Sequence, residues 1–152
     1  MRRLLPVLLL CGLATGCGGG TSAADTYAQQ QTAACTKVQK TLAAIPRPKV
    51  GAKTTAGRAR ESKALARYAV AVDKALIAGV PTLRAVPAPS KLATLQTEWI
   101  TAVRRALDAR LRLDTAPARK LTKASKAELK TRRAANVLAG KLGIASGCTL
   151  TY

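Results

Sequence analysis

The chain has 152 residues, with 26 lysines and arginines against seven acidic residues, and its formal net charge is +19. It contains no histidine, which excludes catalytic and metal sites that depend on an imidazole titrating near neutral pH. A nucleophile elbow, a phosphate-binding glycine loop and clustered carboxylates are also missing from the sequence. We therefore predict that the protein is not an enzyme and uses no metal or cofactor.

The first 16 residues have the parts of a secretory signal peptide. Two arginines follow the initiator methionine, residues 4–10 form an apolar run, and small residues lead to Cys17. The apolar run is far shorter than the roughly 20 residues that a membrane-spanning helix needs. Three glycines follow Cys17, and we predict a flexible tether over residues 17–24.

Residues 14–17 also resemble the lipobox of bacterial lipoproteins, in which an aliphatic residue and two small residues precede an invariant cysteine. Ala14 departs from the commonest form, which has leucine at that position. The resemblance implies that the Cys17 thiol takes a diacylglycerol before cleavage. Cys17 would then be the mature N-terminus, anchored on the outer face of the cytoplasmic membrane. The alternative is an ordinary secreted protein cut near Gly16.

Two further cysteines, Cys35 and Cys148, remain in the mature part. In an oxidising compartment such a pair most simply forms a disulfide, here closing a loop of 113 residues between positions 35 and 148. The chain-entropy model gives such a loop about 4–5 kcal/mol as an upper figure. Metal binding and redox chemistry are the alternatives, but the spacing matches no metal-ligand pattern.

After the tether, apolar residues recur at helical spacing, which predicts an all-α domain over residues 25–152. A first helix is predicted over residues 25–45, before Pro46. Its inward stripe is Tyr27, Ala34, Val38, Leu42 and Ile45. A second helix is predicted to begin at Thr54 or Thr55 and to end at Gly79 and Pro81. Its stripe is Leu65, Tyr68, Val72, Leu76 and Val80.

The third helix follows a proline-rich linker, and we predict Ser90 as its N-cap and an end near Asp114. Its apolar residues are Leu92, Leu95, Trp99, Val103 and Ala106, with Ile100, Leu107 and Leu111 alongside. The fourth helix is predicted from Ala116 and Pro117 to Leu142, with Gly143 as C-cap. Its stripe is Leu121, Ala124, Glu128, Thr131, Ala135, Leu138 and Leu142.

Four helices of about 20 residues joined by short loops predict an up-down antiparallel four-helix bundle. For the disulfide to form, the C-terminal tail must fold back along the first helix. The chain resembles small helical lipoproteins of actinobacteria in three short motifs. These are the lipobox, the Leu83-x-x-Val86-Pro87-x-Pro89 linker before a Trp-bearing helix, and the ending from Leu142-Gly143-Ile144 to Cys148. This resemblance implies no known reaction.

Basic residues are placed regularly on two of the predicted helices. On the fourth helix they recur at steps of four and three residues, which puts them on one face opposite the apolar stripe: Arg119, Lys123, Lys126, Lys130 and Arg133. The second helix repeats the pattern with Arg60, Lys63, Arg67 and Lys74. Further cations lie in and just after the preceding loop: Arg47, Lys49, Lys53 and Arg58. Ordinary solvated faces mix charges of both signs, whereas this chain has few acids.

The basic faces favour a binding or structural module whose partners are anionic lipid headgroups or cell-wall polymers. The simpler interpretation is that these faces are only solvated. Nucleic acid is disfavoured, because Trp99 and three tyrosines give few stacking platforms and an exported protein rarely meets it. The alternative function is a small-molecule carrier with a cavity in the bundle core. No protein partner is indicated.

Two carboxylates are the candidates for a perturbed pKa. Asp73 and Glu98 lack a basic residue one helical turn away on the predicted surface, and Glu98 adjoins the buried stripe at Trp99. The structural interpretation of each is a boundary carboxylate paired with a basic residue of the next helix. We expect Asp114 to pair with Arg110 on the surface of the third helix.

Overall fold

A computed structural model describes residues 22–144 of the chain, and this part is all-α. Its four long helices are α1 (Ala23–Leu42), α2 (Thr55–Arg84), α3 (Ala93–Asp114) and α4 (Leu121–Lys141). Short 3₁₀ turns at Ser90–Leu92 and Ala118–Lys120 lead into α3 and α4. The predicted all-α class and the four predicted helices are confirmed.

Several predicted features lie outside the described residues. They are the signal peptide over residues 1–16, the lipidation site Cys17, and Cys148, the predicted partner of Cys35. Lipidation and the disulfide therefore stay predictions. Within residues 22–144, no helix combines the length and the apolar character that crossing a membrane requires.

Helix α1 begins with a capping box. The Ser22 hydroxyl accepts the backbone N–H of Asp25 at 3.1 Å, and the Asp25 carboxylate accepts the Ser22 N–H at 3.2 Å. The helix buries Tyr27, Gln31, Cys35 and Val38, which share one face. It ends at Leu42, so Ile45 of the predicted stripe lies beyond the helix and is half-buried.

Helix α2 continues to Arg84, which corrects the prediction that Gly79 and Pro81 end it. Pro81 lies on the exposed side near the last turn, where its ring removes one backbone donor without breaking the helix. At the end of the helix, the Leu83 carbonyl would need the N–H of the residue four positions later, but that residue is Pro87, which has none. Instead, Gln31 Nε2 of α1 donates to this oxygen at 2.9 Å. Gln31 thus replaces a missing backbone bond.

The start of α3 differs from the prediction for Ser90. Ser90 begins the 3₁₀ turn, and Leu92 occupies the N-cap position without a side-chain hydrogen bond. The linker is held instead by Gln96, whose Nε2 donates to the Val86 carbonyl at 2.7 Å. A 3₁₀ turn likewise separates Pro117 from α4.

Gly143 ends α4 as predicted. Its φ is +67°, in the left-handed region that glycine adopts without steric cost. The Ile144 N–H donates to the Ala139 carbonyl, and the Gly143 N–H to the Gly140 carbonyl, both at 3.1 Å. These two bonds make a Schellman motif, which turns the chain away from the axis of α4 and buries Ile144.

Contacts between the helices show whether neighbouring helices run parallel or antiparallel. Along α1, Gln31 meets Leu83 and the later Val38 meets the earlier Gly79, so α1 and α2 are antiparallel. α2 and α3 are antiparallel as well, because Asp73 contacts Arg110, whereas the later Val86 is bonded to the earlier Gln96. The closest packing follows chain order, from α1 on α2 to α2 on α3 and α3 on α4.

The buried apolar residues lie toward one end of this helical bundle, which we call the α1 end. There α1 and α3 begin, and α2 and α4 finish. The core residues are Tyr27, Cys35, Val38, Val80, Leu83, Trp99, Ile100, Val103, Ala106, Leu107, Ala135, Ala139, Leu142 and Ile144. At the opposite end, which we call the far end, Leu65 and Leu121 are each 44% exposed, although both belong to predicted inward stripes. One buried residue of α2, Asp73, lies toward this end.

Gly79 marks the closest approach of α1 and α2. A Cβ built on it would collide with both γ-carbons of the buried, branched Val38. We expect Gly79→Ala to lower the free energy of unfolding by about 1–2 kcal/mol, because overpacking outweighs the better helix propensity of alanine. Gly140→Ala is the matched control, since nothing lies within 4 Å of its added Cβ, and it should stabilise by up to about 1 kcal/mol.

Urea denaturation of the two variants measures this difference. Val38→Ala should reduce the cost of Gly79→Ala when the two are combined, because the colliding methyl groups are gone. If Gly79→Ala stabilised the protein as Gly140→Ala does, the close approach of the two helices would be wrong.

Candidate functional site

The basic residues predicted for the fourth helix are all exposed. Arg119 lies in the 3₁₀ turn before α4, and Lys123, Lys126, Lys130 and Arg133 lie on α4 itself. They occupy the side opposite the buried Ala135 and Ala139. We call these five residues the α4 basic face. From Arg119 to Arg133 it is about 21 Å long.

The four basic residues predicted for the second helix are also exposed. They share the side of α2 that faces away from the buried Asp73 and Val80, and we call them the α2 basic face: Arg60, Lys63, Arg67 and Lys74. Three cations of the loop before α2 and one in the first turn of α2 are exposed as well: Arg47, Lys49, Lys53 and Arg58. Most of both faces lies toward the far end, because α2 and α4 begin there.

Five of the seven acidic residues have partners outside the two basic faces. Glu61 accepts the Ala52 N–H at 2.6 Å, Asp108 pairs with Arg104 at 3.1 Å, and Glu128 pairs with Arg132 at 2.9 Å. Asp25 completes the cap of α1, and Asp73 pairs with Arg110. None of the ion pairs among residues 22–144 includes a member of either basic face. The positive charge of the two faces is therefore not balanced by neighbouring carboxylates.

The placement of these cations costs stability. Neither α2 nor α4 has an acidic residue in its first turn, and Lys120, the N-cap of α4, makes no side-chain cap hydrogen bond. Cations near a helix N-terminus oppose the helix dipole, by about 0.3–1 kcal/mol each at exposed positions. Like charges three or four residues apart repel as well, by a few tenths of a kcal/mol per pair.

A second cluster lies between α2 and α3. Asp73 is fully buried, and its Oδ1 lies 2.7 Å from Nε of Arg110, whose side chain is 20% exposed. Asp114, one turn after Arg110 on α3, acts on Asp73 electrostatically. Burial and the neighbouring Asp114 carboxyl raise the pKa of Asp73 to about 7, although the Arg110 guanidinium opposes the shift.

Asp73 follows the structural interpretation of the sequence, a carboxylate paired with a basic residue of the next helix. Its burial could have been read from its position three residues before Leu76 and seven before Val80, on the inward side of α2. Glu98 is exposed, although it adjoins the buried Trp99. The sequence prediction that paired Arg110 with Asp114 on the surface missed the contact of Arg110 with α2.

Two depressions lie at the α1 end. The larger, of about 440 Å³, opens to solvent between α1 and the chain after α2, with Ala34, Lys37 and Val86 among its lining residues. The smaller, of about 230 Å³, is lined by Arg84, Gln96, Thr97 and Ile100. Neither of these two is an enclosed cavity between the four helices, which is where the carrier alternative places its ligand.

Residues 22–144 contain no group of three cysteine, aspartate or glutamate side chains placed to share a metal ion. The two basic faces are thus the feature of this part of the chain with the clearest chemistry. Comparison of the sequence and the fold with protein-family models, curated proteins and solved structures gives no match.

Proposed function

We propose that this protein is an exported, lipid-anchored component of the bacterial cell envelope that binds polyanions and catalyses no reaction. Its anchor is the acylated Cys17, and its binding surfaces are the α2 and α4 basic faces. The anions at that location are lipid headgroups and cell-wall polymers. The observation that carries the proposal is the exposure of nine cations that no described carboxylate balances.

The energetics support a binding role over simple solvation. A helix face needed only for solvation would gain stability from carboxylates in its first turn and from pairs of opposite charge. The α4 basic face instead has Arg119 and Lys123 around the start of its helix, and both faces place like charges three or four residues apart without an ion pair. An arrangement that costs stability and has no structural use is typical of a functional surface.

Within residues 22–144 the exposed aromatic surface is small, which argues against single-stranded nucleic acid as the polyanion. Trp99 and Tyr27 are each 1% exposed, and Tyr68 is half-buried. These rings are therefore not free to stack on bases, which is how such proteins commonly hold a single strand.

The test uses the chain without residues 1–17, a truncation that leaves every described contact in place. We expect it to bind vesicles that contain phosphatidylglycerol, or a poly(glycerol phosphate), with an affinity that falls steeply as salt rises from about 50 to 200 mM. Cosedimentation and calorimetry measure this binding. Equal binding to neutral phosphatidylcholine vesicles, or no binding to either anion at low salt, would contradict the proposal.

We also propose that α1 and α4 close the bundle as antiparallel neighbours and that the Cys35–Cys148 disulfide holds them together. Gly143 lies beside Ala28, close to the start of α1. Along α1, Cys35 is seven residues further on, about 10 Å. The four residues from Ile144 to Cys148 can span up to about 13 Å when extended. This length is sufficient if the tail folds back along α1.

A further inference from the structure

We infer that the two basic faces bind one flexible phosphodiester polymer, rather than the membrane surface on which the chain is anchored. This inference rests on the proposed function and identifies the polyanion. It follows from the direction of the helices, the side of α3 on which each face lies, and the range of electrostatic interactions.

The faces are far from the start of α1, where the tether is attached. The α1 end of the bundle contains the start of α1 and the end of α2 at Arg84, whereas Arg60 lies near the start of α2. Twenty-four residues of helix separate Arg60 from Arg84, about 36 Å. Even Arg133, the face residue nearest the α1 end, is eight residues from Lys141, about 12 Å. The Debye length at physiological salt is about 8 Å. A bundle standing on its tether therefore holds these cations beyond the reach of the headgroup charges.

A bundle lying on the membrane would use at most one face fully. α2 and α4 each pack closely on α3, but they do not pack closely on each other. Each basic face is on the side of its helix opposite the buried residues. The faces therefore point outward from two different sides of α3, and a plane that touches one leaves the other in solvent. A flexible chain can contact both.

The start of α4 adds positive potential to its own basic face. Arg119 and Lys123 flank this start, so the positive end of the helix dipole lies beside them. The α4 basic face presents Lys and Arg at alternating axial intervals of about 6 and 4.5 Å. This regular row of lysine ammonium and arginine guanidinium groups suits a polymer with one phosphate in each repeat.

Three triple variants, each losing three positive charges, test this inference in the chain lacking residues 1–17. One removes charge from the α4 basic face (Lys123→Gln, Lys126→Gln and Lys130→Gln), and one from the α2 basic face (Arg60→Gln, Lys63→Gln and Arg67→Gln). The matched control removes it from exposed positions at the α1 end: Arg84→Gln, Lys91→Gln and Lys141→Gln. All nine positions are exposed, and circular dichroism with thermal unfolding verifies that each variant folds.

We expect each face variant to weaken binding of poly(glycerol phosphate) about tenfold or more at low salt and to reduce the slope of log affinity against log salt by about two to three. Combining the two faces should weaken binding further, because both contact the same polymer. The α1-end control should change affinity by about twofold at most.

Four other outcomes would overturn the inference. If one face variant abolished binding to phosphatidylglycerol vesicles while the other had no effect, the protein would lie flat on a membrane. If all three variants weakened binding equally, net charge alone would govern it. If the unaltered chain bound phosphatidylglycerol vesicles but not the polymer, the proposed function would stand without this inference, whereas binding to neither would remove both.

Discussion

Replacing Arg110 with methionine is expected to lower the free energy of unfolding by about 3–5 kcal/mol at pH 8, because the buried Asp73 loses its only described cation and must hold a proton in the folded state. At pH 5 the loss should be smaller by about 1 kcal/mol, since the two folded proteins differ in bound protons only above pH 7. The pKa of Asp73 is about 7 even with Arg110 present, so at pH 5 the carboxyl is already neutral.

The direction of the pH effect follows from linkage. In the unfolded chain Asp73 titrates near its ordinary pKa of about 3.9, and in the folded protein near 7. Between these values the folded state holds a proton that the unfolded state has released. The stabilising contribution of the neutral carboxyl is complete below the unfolded pKa and is lost as pH rises through 7. Without Arg110 the folded pKa rises further, and the loss extends to higher pH.

Urea denaturation at pH 5 and pH 8 measures both effects. Arg104→Met is the matched control, because the Arg104–Asp108 pair is about half exposed and should contribute no more than about 1 kcal/mol at either pH. Adding Asp73→Asn to Arg110→Met should recover much of the loss at pH 8. Equal losses at the two pH values, or an Arg110→Met cost no larger than that of Arg104→Met, would show that Asp73 is not held as described.

Removing the proposed Cys35–Cys148 disulfide is expected to cost about 2–5 kcal/mol, because it releases a loop of 113 residues in the unfolded chain. Cys148→Ser is the variant of choice, since Cys35 is only 8% exposed and a change there would also disturb the core. Unfolding by urea with and without dithiothreitol measures the effect. Reductant should destabilise the unaltered chain and leave Cys148→Ser unchanged.

Thiol labelling supplies an independent control. In the chain without residues 1–17, Cys35 and Cys148 are the only cysteines. Neither should react with maleimide in denaturant until a reductant is added. Quantitative labelling of both thiols without reductant would rule out the disulfide and with it the proposed path of the tail along α1.

Periodicity predicted the helices well where the inward residues are large and recur at each turn, as in α3 from Trp99 to Leu107. It was wrong for Leu65 and Leu121, which lie near the starts of α2 and α4, away from the buried core residues. It was also wrong at Pro81, since the cost of a proline depends on its distance from the helix end. Local sequence does not carry that information.

The basic faces could be located from residue spacing alone, because a repeat of four and three residues fixes one side of a helix wherever the helix packs. The Asp73–Arg110 pair could not be located in this way. Its partners are 37 positions apart, and Arg110 has Asp114 one turn away as an equally good local partner. The register between α2 and α3 decides between them, and that register is a property of the packed core.

The unequal distribution of the core along the helices also determines how the protein opens. Around Trp99 and Ile100, every long helix contributes buried side chains, so local opening there requires most of the free energy of global unfolding. The first turns of α2 and α4 have few such contacts, and their amide protons become accessible through small fluctuations. One half of the molecule therefore remains rigid, while the charged half is compliant enough to adjust to an irregular ligand.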